Sequence, residues 1–563
     1  MKVIIVGGVA GGATAAARIR RLDEHAEITV FERSGYISYA NCGLPYYIGD
    51  VITDPEELTL QTPESFFKRF RINMKIHHEV ISIHTERKTV SVKNLENGEI
   101  FEENYDKLIL SPGAKPTQPR LPGVGMDKLF TLRTVEDTFR IKEYINKNHP
   151  KSAVLAGGGF IGLELAENLR ELGMDVTIVQ RPKQLMNPFD PDMASMIHNE
   201  MRKHGIKLVL GYTVEGFKEK DNGVEVLLKD NPSLQADMVV LAIGVTPDTA
   251  LAKEAGLELG IKGSIVVNDR METSVPDIYA AGDAVQVKHY VTGDDALISL
   301  ADPANKQGRT IADNICGGDS RYLGSQGSSV IKVFDMTAAT TGINETNAKK
   351  SGLEVDTVIL SPMSHAGYYP GGKVMTMKVV FEKETYRLLG AQIIGYEGVD
   401  KRIDVLATAI HAGLKATQLK DLDLAYAPPY SSAKDPVNMA GFMIDNIAKG
   451  TLKQWHLEDM DKISKDKSVV LLDVRTVGEF NRGHMDGFRN IPVDELRERI
   501  NEIEKGKPVY LICQSGLRSY IASRILEGNG YETYNFSGGF RFYDAVVNDR
   551  ALIERAYACG MDY

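Results

Sequence analysis

The chain opens with KVIIVGGVAGGATAAARIRRLDEHAEITVFE at positions 2–32. The β-branched run Lys2–Val6 leads into Gly7-Gly8-Val9-Ala10-Gly11-Gly12, an alanine-rich helix follows over 13–21, and the strand at 28–32 ends on Glu32. Glycines at such a turn let the backbone approach a pyrophosphate at a helix N-terminus, and the acid accepts hydrogen bonds from a ribose. The stretch therefore predicts a dinucleotide-binding fold, with one departure: Val9 takes the middle glycine's place.

A second copy of this pattern lies about 150 residues further along. A strand at 152–155 precedes Gly157-Gly158-Gly159-Phe160-Ile161-Gly162, and the next strand is expected at 176–179. The position for a ribose-binding acid holds Gln180, followed by Arg181 and Lys183. An acid there favours NADH, whereas nearby cations can accept the 2′-phosphate of NADPH. The sequence therefore predicts a second nucleotide and leaves NADH and NADPH both open.

Composition limits the class of protein. With 563 residues, 43% of them hydrophobic and 25% charged, the chain is expected to be globular, with three or four domains. A formal net charge of -10 argues against a nucleic-acid protein. No apolar run is long enough for a membrane helix, so we expect a cytoplasmic protein. None of its four cysteines forms a C-x-x-C pair, and no metal site is expected.

Three further segments complete a recognisable set. They are the segment at 108–114, the segment at 239–244 with Pro247, and the segment at 273–284 that contains Gly282 and Asp283. Together with the two glycine turns they resemble the flavoprotein disulfide reductases over about residues 1–445. The resemblance implies bound FAD and NAD(P)H. The cofactor-binding positions that it implies are Gly7, Gly8, Val9, Ala10, Gly12, Glu32, Arg33, Asn41, Ala114, Gly157, Gly159, Gly162, Glu164, Gln180, Gly244, Gly282, Asp283 and Ala301.

The resemblance also implies an α/β fold with four domains. Two Rossmann-like domains are expected to bind FAD (1–111 and 245–321) and NAD(P)H (112–244). An α+β dimerisation domain (322–445) and a linker (446–460) follow. The last part (461–563) is expected to be a separate α/β domain.

Cys42 is the candidate redox thiol. It lies in Ser38-Tyr39-Ala40-Asn41-Cys42-Gly43-Leu44-Pro45, after the first glycine turn, where this family carries its redox cysteine. Pro45 suits the first turn of a helix, so partial positive charge at the helix N-terminus is expected to favour the thiolate of Cys42. No second cysteine lies within a few residues, so the acceptor must form a mixed disulfide or persulfide with Cys42, or oxidise it.

Two single-cysteine branches of the family remain. NADH peroxidases and oxidases carry a histidine in the first glycine turn, and Ala10 takes that position here. The motif at 38–42 and the segments 365–371 and 424–431 resemble the coenzyme A-disulfide reductases instead. By that resemblance Tyr368 and Tyr426 act at the cysteine of the partner subunit in a homodimer, where a phenol could protonate the departing thiolate. The same branch implies coenzyme A contacts at Thr14, Arg18, Arg21, Ser38, Asn41, Arg71 and Lys434.

The C-terminal segment contains a strand at 509–512 that leads into Cys513-Gln514-Ser515-Gly516-Leu517-Arg518, and a helix follows. The segment 461–563 resembles a rhodanese domain over about 100 residues. Successive backbone N–H groups in such a loop suit a thiolate or its persulfide. Cys513 and Arg518 are therefore expected to act in sulfur transfer.

The resemblance implies an NAD(P)H-dependent flavoprotein that reduces coenzyme A disulfide, coenzyme A persulfide or polysulfide at Cys42. The alternatives are an NADH oxidase or peroxidase and a redox-sensing binding protein. The physiological acceptor stays open, as does the route of sulfur between Cys42 and Cys513, within one chain or across the dimer.

Overall fold

The protein is a mixed α/β chain that folds as two compact units. The structure is a computed structural model and describes residues 1–220 and 223–559. The first unit comprises residues 1–182 and 205–327, and the second comprises residues 183–204 and 328–563. No helix in the described part of the chain is both long and apolar enough to cross a bilayer.

The first glycine turn follows the central strand of a five-stranded parallel sheet. Lys2–Val6 pairs with Glu27–Phe31 on one side and Lys107–Leu110 on the other. Its residues Val3, Ile4 and Ile5 are fully buried, as befits a parallel strand covered on both faces. The order of strands in this sheet is Ile278–Ala280, Lys107–Leu110, Lys2–Val6, Glu27–Phe31 and Asn73–Lys75. A separate antiparallel sheet consists of His78–His84, Thr89–Asn94 and Ile100–Asn104. The main helices are Ala10–Leu22, Leu44–Ile48, Pro63–Phe70 and Ala301–Ile315.

The second glycine turn follows the central strand of an equivalent sheet. Ser152–Ala156 lies between Asp175–Gln180 and Met238–Leu241, again in parallel. The order of strands in this sheet is Lys207–Leu210, Asp175–Gln180, Ser152–Ala156, Met238–Leu241 and Leu129–Thr131. A separate antiparallel sheet consists of Val214–Lys220, Gly223–Leu228 and Asn231–Ala236. The helices are Val135–Asn148 and Phe160–Glu171. The doubled strand-turn-helix pattern of the sequence is therefore confirmed.

Two short strands mark where the chain passes between these sheets. Ala114–Pro116 pairs antiparallel with Val245–Pro247, so the outgoing and returning segments lie side by side. Both segments were expected from the sequence. Their pairing brings Ala114 opposite Pro247.

The second unit contains an antiparallel sheet and a C-terminal parallel sheet. All eight residues of Leu388–Gly395 are buried, which fits the middle of a covered sheet. The order of strands in the antiparallel sheet is Ser329–Val333, Met336–Gly342, Leu388–Gly395, Met375–Glu382 and Val355–Leu360. The helices of this part of the unit are Pro191–Lys203, Glu345–Lys350, Val399–His411 and Pro436–Ala448. The C-terminal order is Gln454–Trp455, Thr533–Phe536, Val509–Ile512, Val470–Asp473 and Arg489–Asn490, with helices Met460–Ile463, Val477–Arg482, Leu517–Gly528 and Gly539–Cys559.

The segment 446–460, expected to be a linker, is largely part of folded elements. The helix Pro436–Ala448 covers its first residues, and Gln454–Trp455 forms the edge strand of the C-terminal sheet by pairing with Asn535 and Phe536. Trp455 is buried among aromatic rings, including that of Phe536 at 4.5 Å between centroids. A two-residue strand has too few residues to show a pattern in sequence, which explains the different expectation.

The helix Pro191–Lys203 groups with the second unit, although the sequence placed it in the NAD(P)H-binding domain. The buried ring of His198 lies 2.8 Å from the carboxylate of Asp549 in the last helix, and the Nε2 atom of His198 accepts the N–H of Leu185. Because Nε2 accepts, the contact between Nδ1 and the Asp549 carboxylate is one in which Nδ1 donates. Arg202 also donates to Asp549. These contacts join the C-terminal domain to the rest of its unit.

Candidate active site

The two glycine turns have matching backbone geometry. Gly7 and Gly157 have φ values of +96° and +119°, which side-chain-bearing residues rarely adopt. A Cβ at either position would lie 2.1 or 2.2 Å from a carbonyl oxygen of a neighbouring strand segment. Both turns therefore require glycine and bring bare backbone to a helix N-terminus. This is the cradle that a dinucleotide pyrophosphate fits.

The residue at the end of the strand that follows each glycine turn is hydrogen-bonded to that turn. The Gly8 N–H donates to Glu32 at 2.9 Å, and the Gly158 N–H donates to the side-chain oxygen of Gln180 at 3.0 Å. Glu32 and Gln180 thus occupy equivalent positions. Glu32 presents a carboxylate and Gln180 a neutral amide, which is the chemical difference that the sequence indicated.

Val9 is compatible with the fold of the turn. It is the N-cap of the helix Ala10–Leu22, with φ -101° and ψ -141°, and Gly159 has the similar values -92° and -168° in the second turn. Because φ is negative at both positions, a side chain costs no backbone strain there. Ala10 then begins the first helix and Gly12 and Gly162 lie in the first turns of the two helices.

The second flavin segment is held by an ion pair that the sequence did not indicate. Gly282–Ala284 forms a short turn after the strand Ile278–Ala280, and the Arg133 guanidinium donates to Asp283 at 2.6 Å. Both side chains are partly buried, which strengthens a charge-assisted bond. Ala301 begins the helix Ala301–Ile315, and Gly244 precedes the return strand with φ +105°. The Arg133–Asp283 pair therefore joins a residue of the expected NAD(P)H-binding segment to one of the expected FAD-binding segment.

Cys42 lies in a short 3₁₀ turn, Asn41–Gly43, directly before the helix Leu44–Ile48. Its thiol is exposed and free. The expected stabilisation of the thiolate is not what the surroundings provide: desolvation and the carboxylate of Glu164 raise the pKa of Cys42, and Arg133 only partly offsets them. The following helix has only five residues, so few peptide dipoles add up at its N-terminus.

Glu164 and Tyr46 form a proton-holding pair beside this thiol. Desolvation and the neighbouring Glu167 raise the pKa of Glu164 to about 7, although its hydrogen bond with Tyr46 lowers it. Desolvation and Glu164 raise the pKa of Tyr46 to about 12. Near neutral pH, Glu164 therefore exists in both protonation states while Tyr46 keeps its proton. Tyr46 was not singled out from the sequence, because its role depends on contact with a helix 118 residues away.

The expected coenzyme A contacts are less free than the sequence suggested. Arg18 donates to Asp313 at 2.7 Å, and Thr14 donates to Asn305. Arg71 has φ +52° as the C-cap of Pro63–Phe70, with its guanidinium 5.3 Å from the ring centroid of Phe67. Arg33, expected at the cofactor, is paired with Asp248. The remaining expected contacts are partly or fully exposed: Arg21, Ser38, Asn41 and Lys434.

Tyr368 and Tyr426 lie together in the second unit. Their hydroxyls are 2.7 Å apart, and the side chains are 77% and 46% exposed. The hydrogen bond with Tyr368 is the main cause that raises the pKa of Tyr426. Tyr426 also lines a cavity of 540 Å³ together with Lys401 and Glu397. The segments that the sequence matched separately are therefore brought to one place.

Cys513 begins the loop that ends in the helix Leu517–Gly528. Its sulfur is fully buried and accepts hydrogen bonds from the Gly516 N–H and the Ser519 hydroxyl, both at 3.1 Å. Gly516 has φ +98°, which turns the loop back over the sulfur. Two donors aimed at one sulfur suit a thiolate or a persulfide anion. Ser519 was not singled out from the sequence.

Arg518 forms a two-point ion pair with Glu479. Its Nη1 and Nη2 atoms donate to the two carboxylate oxygens of Glu479, each at 2.7 Å. Arg518 and the cap contacts from Thr476 hold the pKa of Glu479 down at about 2, although desolvation opposes them. Glu479 is the third residue of the helix Val477–Arg482 and was missed because its partner is 39 residues away.

Comparison with known proteins agrees with this architecture. Residues 1–308 match the model described as pyridine nucleotide-disulphide oxidoreductase, residues 328–436 match its dimerisation domain, and residues 456–545 match the rhodanese-like domain. The fold and the nucleotide cradles are those of a reductase that uses FAD and NAD(P)H. The chain belongs to the pyridine nucleotide-disulphide oxidoreductase family.

Individual proteins are similar over most of their length. The chain is 39% identical to coenzyme A disulfide reductase of Staphylococcus aureus strain JH9 over 443 residues, which covers 78% of this chain and 99% of that protein. The crystal structure of reduced Bacillus anthracis CoADR-RHD has a TM-score of 0.95 at 48% identity and 98% coverage of both chains. The NAD-dependent persulfide reductase of A. fulgidus has a TM-score of 0.90 at 39% identity, covering 96% of this chain and 100% of that one.

Proposed function

We propose that the protein reduces coenzyme A disulfide, and the persulfide or polysulfide of coenzyme A, with electrons from NAD(P)H. Cys42 is the redox thiol and Cys513 carries sulfane sulfur. The observation that carries the proposal is the setting of Cys42, a free thiol with no cysteine close by in sequence. Without a second thiol the acceptor itself must bond to Cys42.

Each step balances in atoms and electrons. The Cys42 thiolate attacks one sulfur of coenzyme A disulfide, forms a mixed disulfide and releases one coenzyme A thiolate. Two electrons and a proton then convert the mixed disulfide to the Cys42 thiolate and a second coenzyme A thiol. With a coenzyme A persulfide, attack on the outer sulfur breaks its S–S bond, releases the coenzyme A thiolate and gives a Cys42 persulfide. Two electrons and a proton then convert this persulfide to the Cys42 thiolate and hydrogen sulfide.

The residues of the two glycine turns and of the Gly282–Ala284 turn fit FAD and a nicotinamide nucleotide. Gly7, Glu32 and Asp283 would hold FAD, and Gly157 with Gln180 would hold the nicotinamide nucleotide. Bound FAD supplies two-electron transfer from the nicotinamide to the sulfur at Cys42. The chain itself orients the thiol, and Glu164 with Tyr46 holds a proton close to it.

We propose a homodimer in which Tyr368 and Tyr426 act at Cys42 of the partner subunit. The support is their large exposure and their mutual hydrogen bond on a domain matched by a dimerisation model. A phenol with a raised pKa stays protonated at neutral pH and can donate to the departing coenzyme A thiolate. The cytoplasm is the proposed compartment, because thiols are kept reduced there.

The test is NAD(P)H oxidation by the purified holoenzyme with coenzyme A disulfide, coenzyme A persulfide, oxygen and peroxide in turn. Cys42→Ser should abolish turnover of the sulfur acceptors, whereas Cys513→Ser should impair mainly the persulfide reaction. Turnover with oxygen or peroxide alone would favour the oxidase or peroxidase alternative. Binding of a protein partner without turnover of any acceptor would favour a redox sensor.

A further inference from the structure

The loop around Cys513 lacks a cation that is free to bind an anion. Gln514, Ser515, Gly516 and Leu517 carry no charge, so Arg518 is the one cation of the loop. Both ends of its guanidinium are used by the carboxylate of Glu479, at 2.7 Å each. A bidentate pair of this kind is among the strongest that the two side chains can form.

A second ion pair contacts the loop, because Arg475 also donates to the side chain of Gln514. Arg475 donates to both oxygens of Asp473, at 3.0 and 2.6 Å, and its guanidinium lies 3.8 Å from the ring centroid of Phe540. Both members of this pair are fully buried. Arg518 and Arg475 are thus each held in a two-point ion pair, and Arg541, an exposed residue whose backbone N–H donates to the Gln514 carbonyl, is a further cation next to the loop in the fold. The Gly516 N–H and Ser519 hydroxyl already donate to the sulfur itself.

Apolar side chains lie beside the Arg518–Glu479 pair in sequence and are open to solvent. Leu517 directly precedes Arg518 and is 66% exposed, and Val477 lies two residues before Glu479 and is 54% exposed. The exposed apolar side chains of Leu517 and Val477 suit the organic part of a sulfur donor. Neither side chain can form a hydrogen bond or an ion pair with a small inorganic dianion.

We propose that Cys513 takes its sulfur from a persulfide on an organic thiol and discriminates against thiosulfate, with Glu479 as the residue that determines this specificity. The proposal rests on the sulfur-carrying role of Cys513 in the proposed function and names the donor class. With an organic persulfide, the Cys513 thiolate attacks the outer sulfur, the S–S bond breaks, and a Cys513 persulfide and an organic thiolate result.

Thiosulfate would have to place two negative charges next to the sulfur that is transferred. The same attack forms the Cys513 persulfide anion and releases sulfite, which leaves as a dianion. Such a leaving group needs a cation close by, and Arg518 is occupied by Glu479. An organic persulfide carries at most one charge at its reacting end, so it meets no such penalty.

The test is single-turnover loading of Cys513, followed by the gain in mass of one sulfur atom. The full-length holoprotein carries Cys42→Ser so that the proposed redox thiol cannot take up sulfur. Glutathione persulfide and sodium thiosulfate are the donors. We expect loading from the persulfide to be at least about tenfold faster than from thiosulfate. In Glu479→Gln the freed Arg518 should raise the thiosulfate rate several-fold and leave the persulfide rate nearly unchanged.

Glu502→Gln is the matched control, because it removes a carboxylate from the exposed pair with Arg499 in the same domain. It should change neither donor's rate. Equal loading from both donors in the parent protein, or no gain with thiosulfate in a folded Glu479→Gln protein, would overturn the proposal. The donor comparison stands even if Glu479→Gln does not fold. Failure to load from either donor would overturn both this inference and the sulfur-carrying role, whereas reduction of coenzyme A disulfide would be unaffected.

Discussion

The hydroxyls of Tyr368 and Tyr426 lie 2.7 Å apart although the residues are 58 positions apart in sequence. The pair is exposed on the surface of its unit, and one phenol donates to the other. In such a pair one hydroxyl can donate a proton to a bound substrate while the other stays hydrogen-bonded to it.

Replacing Tyr426 by Phe removes one donor of this pair. We expect the turnover number with coenzyme A disulfide to fall by about 100-fold, because proton donation by a positioned group contributes factors of this size. The variant Tyr368→Phe should behave similarly, and the double variant should cost little more than either single one. Tyr430→Phe is the control, since Tyr430 is exposed close by in sequence and lies outside the pair. Additive losses in the double variant would show that the two hydroxyls act separately.

Replacing Glu164 by Gln should make Cys42 more reactive at neutral pH. The Glu164 carboxylate raises the pKa of Cys42, so its removal favours the thiolate and shifts the pH profile of alkylation to lower pH. We expect the rate of alkylation of Cys42 by iodoacetamide near pH 7 to rise about threefold to tenfold. Glu171→Gln removes an exposed carboxylate from the same helix and should leave the profile in place. A profile shifted to higher pH in Glu164→Gln would contradict this assignment.

Glu164 also links stability to pH. Its folded-state pKa of about 7 lies above the ordinary value of 4.5, so the folded protein binds more protons between these values than the unfolded chain does. The stabilising contribution is therefore full below about pH 4.5 and is lost as the pH rises towards 7. The melting temperature of wild type should fall more across this window than that of Glu164→Gln. Parallel curves for the two proteins would contradict the raised pKa.

Gln180 should influence the choice of nicotinamide nucleotide. It occupies in the second turn the position that Glu32 occupies in the first, as the matching hydrogen bonds from Gly8 and Gly158 show. In Gln180→Glu a carboxylate would bind the ribose hydroxyls of NADH and repel the 2′-phosphate of NADPH. We expect the ratio of kcat/KM for NADH to that for NADPH to rise about tenfold. An unchanged ratio would mean that other residues choose the nucleotide.

Ser519 should support the sulfur chemistry of Cys513. Its hydroxyl donates to the Cys513 sulfur at 3.1 Å from a fully buried position. Ser519→Ala removes one of the two hydrogen-bond donors to the sulfur, so sulfur loading of Cys513 should slow by about threefold to thirtyfold. Ser523→Ala is the control, because Ser523 is buried on the same helix and bonds to Thr533 instead. Equal loading rates in Ser519→Ala and Ser523→Ala would show that the Ser519 hydroxyl does not assist sulfur transfer to Cys513.

The sequence predicted what depends on local pattern. The glycine turns at Gly7 and Gly157, their flanking strands and the strand Val509–Ile512 follow from short runs of residues and were found at or within a few positions of the expected bounds. The pairs Arg133–Asp283 and Arg518–Glu479 could not be predicted, because each joins residues that only the folded chain brings together.

The direction of the pKa shift at Cys42 was also missed. The sequence showed a helix after Cys42 but not the carboxylate of Glu164, which lies 122 residues further along. The edge strand Gln454–Trp455 was missed for a related reason, since it is defined by its pairing with Asn535 and Phe536 and not by its own two residues.

The central claim is that Cys42 bonds to the coenzyme A acceptor and is restored by NAD(P)H. The most direct measurement is mass spectrometry of the reduced, FAD-containing protein after one equivalent of coenzyme A disulfide, before and after addition of NADH or NADPH. We expect one coenzyme A on the peptide that contains Cys42, and its release when the nucleotide is added. An adduct on Cys316 or Cys513 instead, or one on Cys42 that neither nucleotide removes, would contradict it.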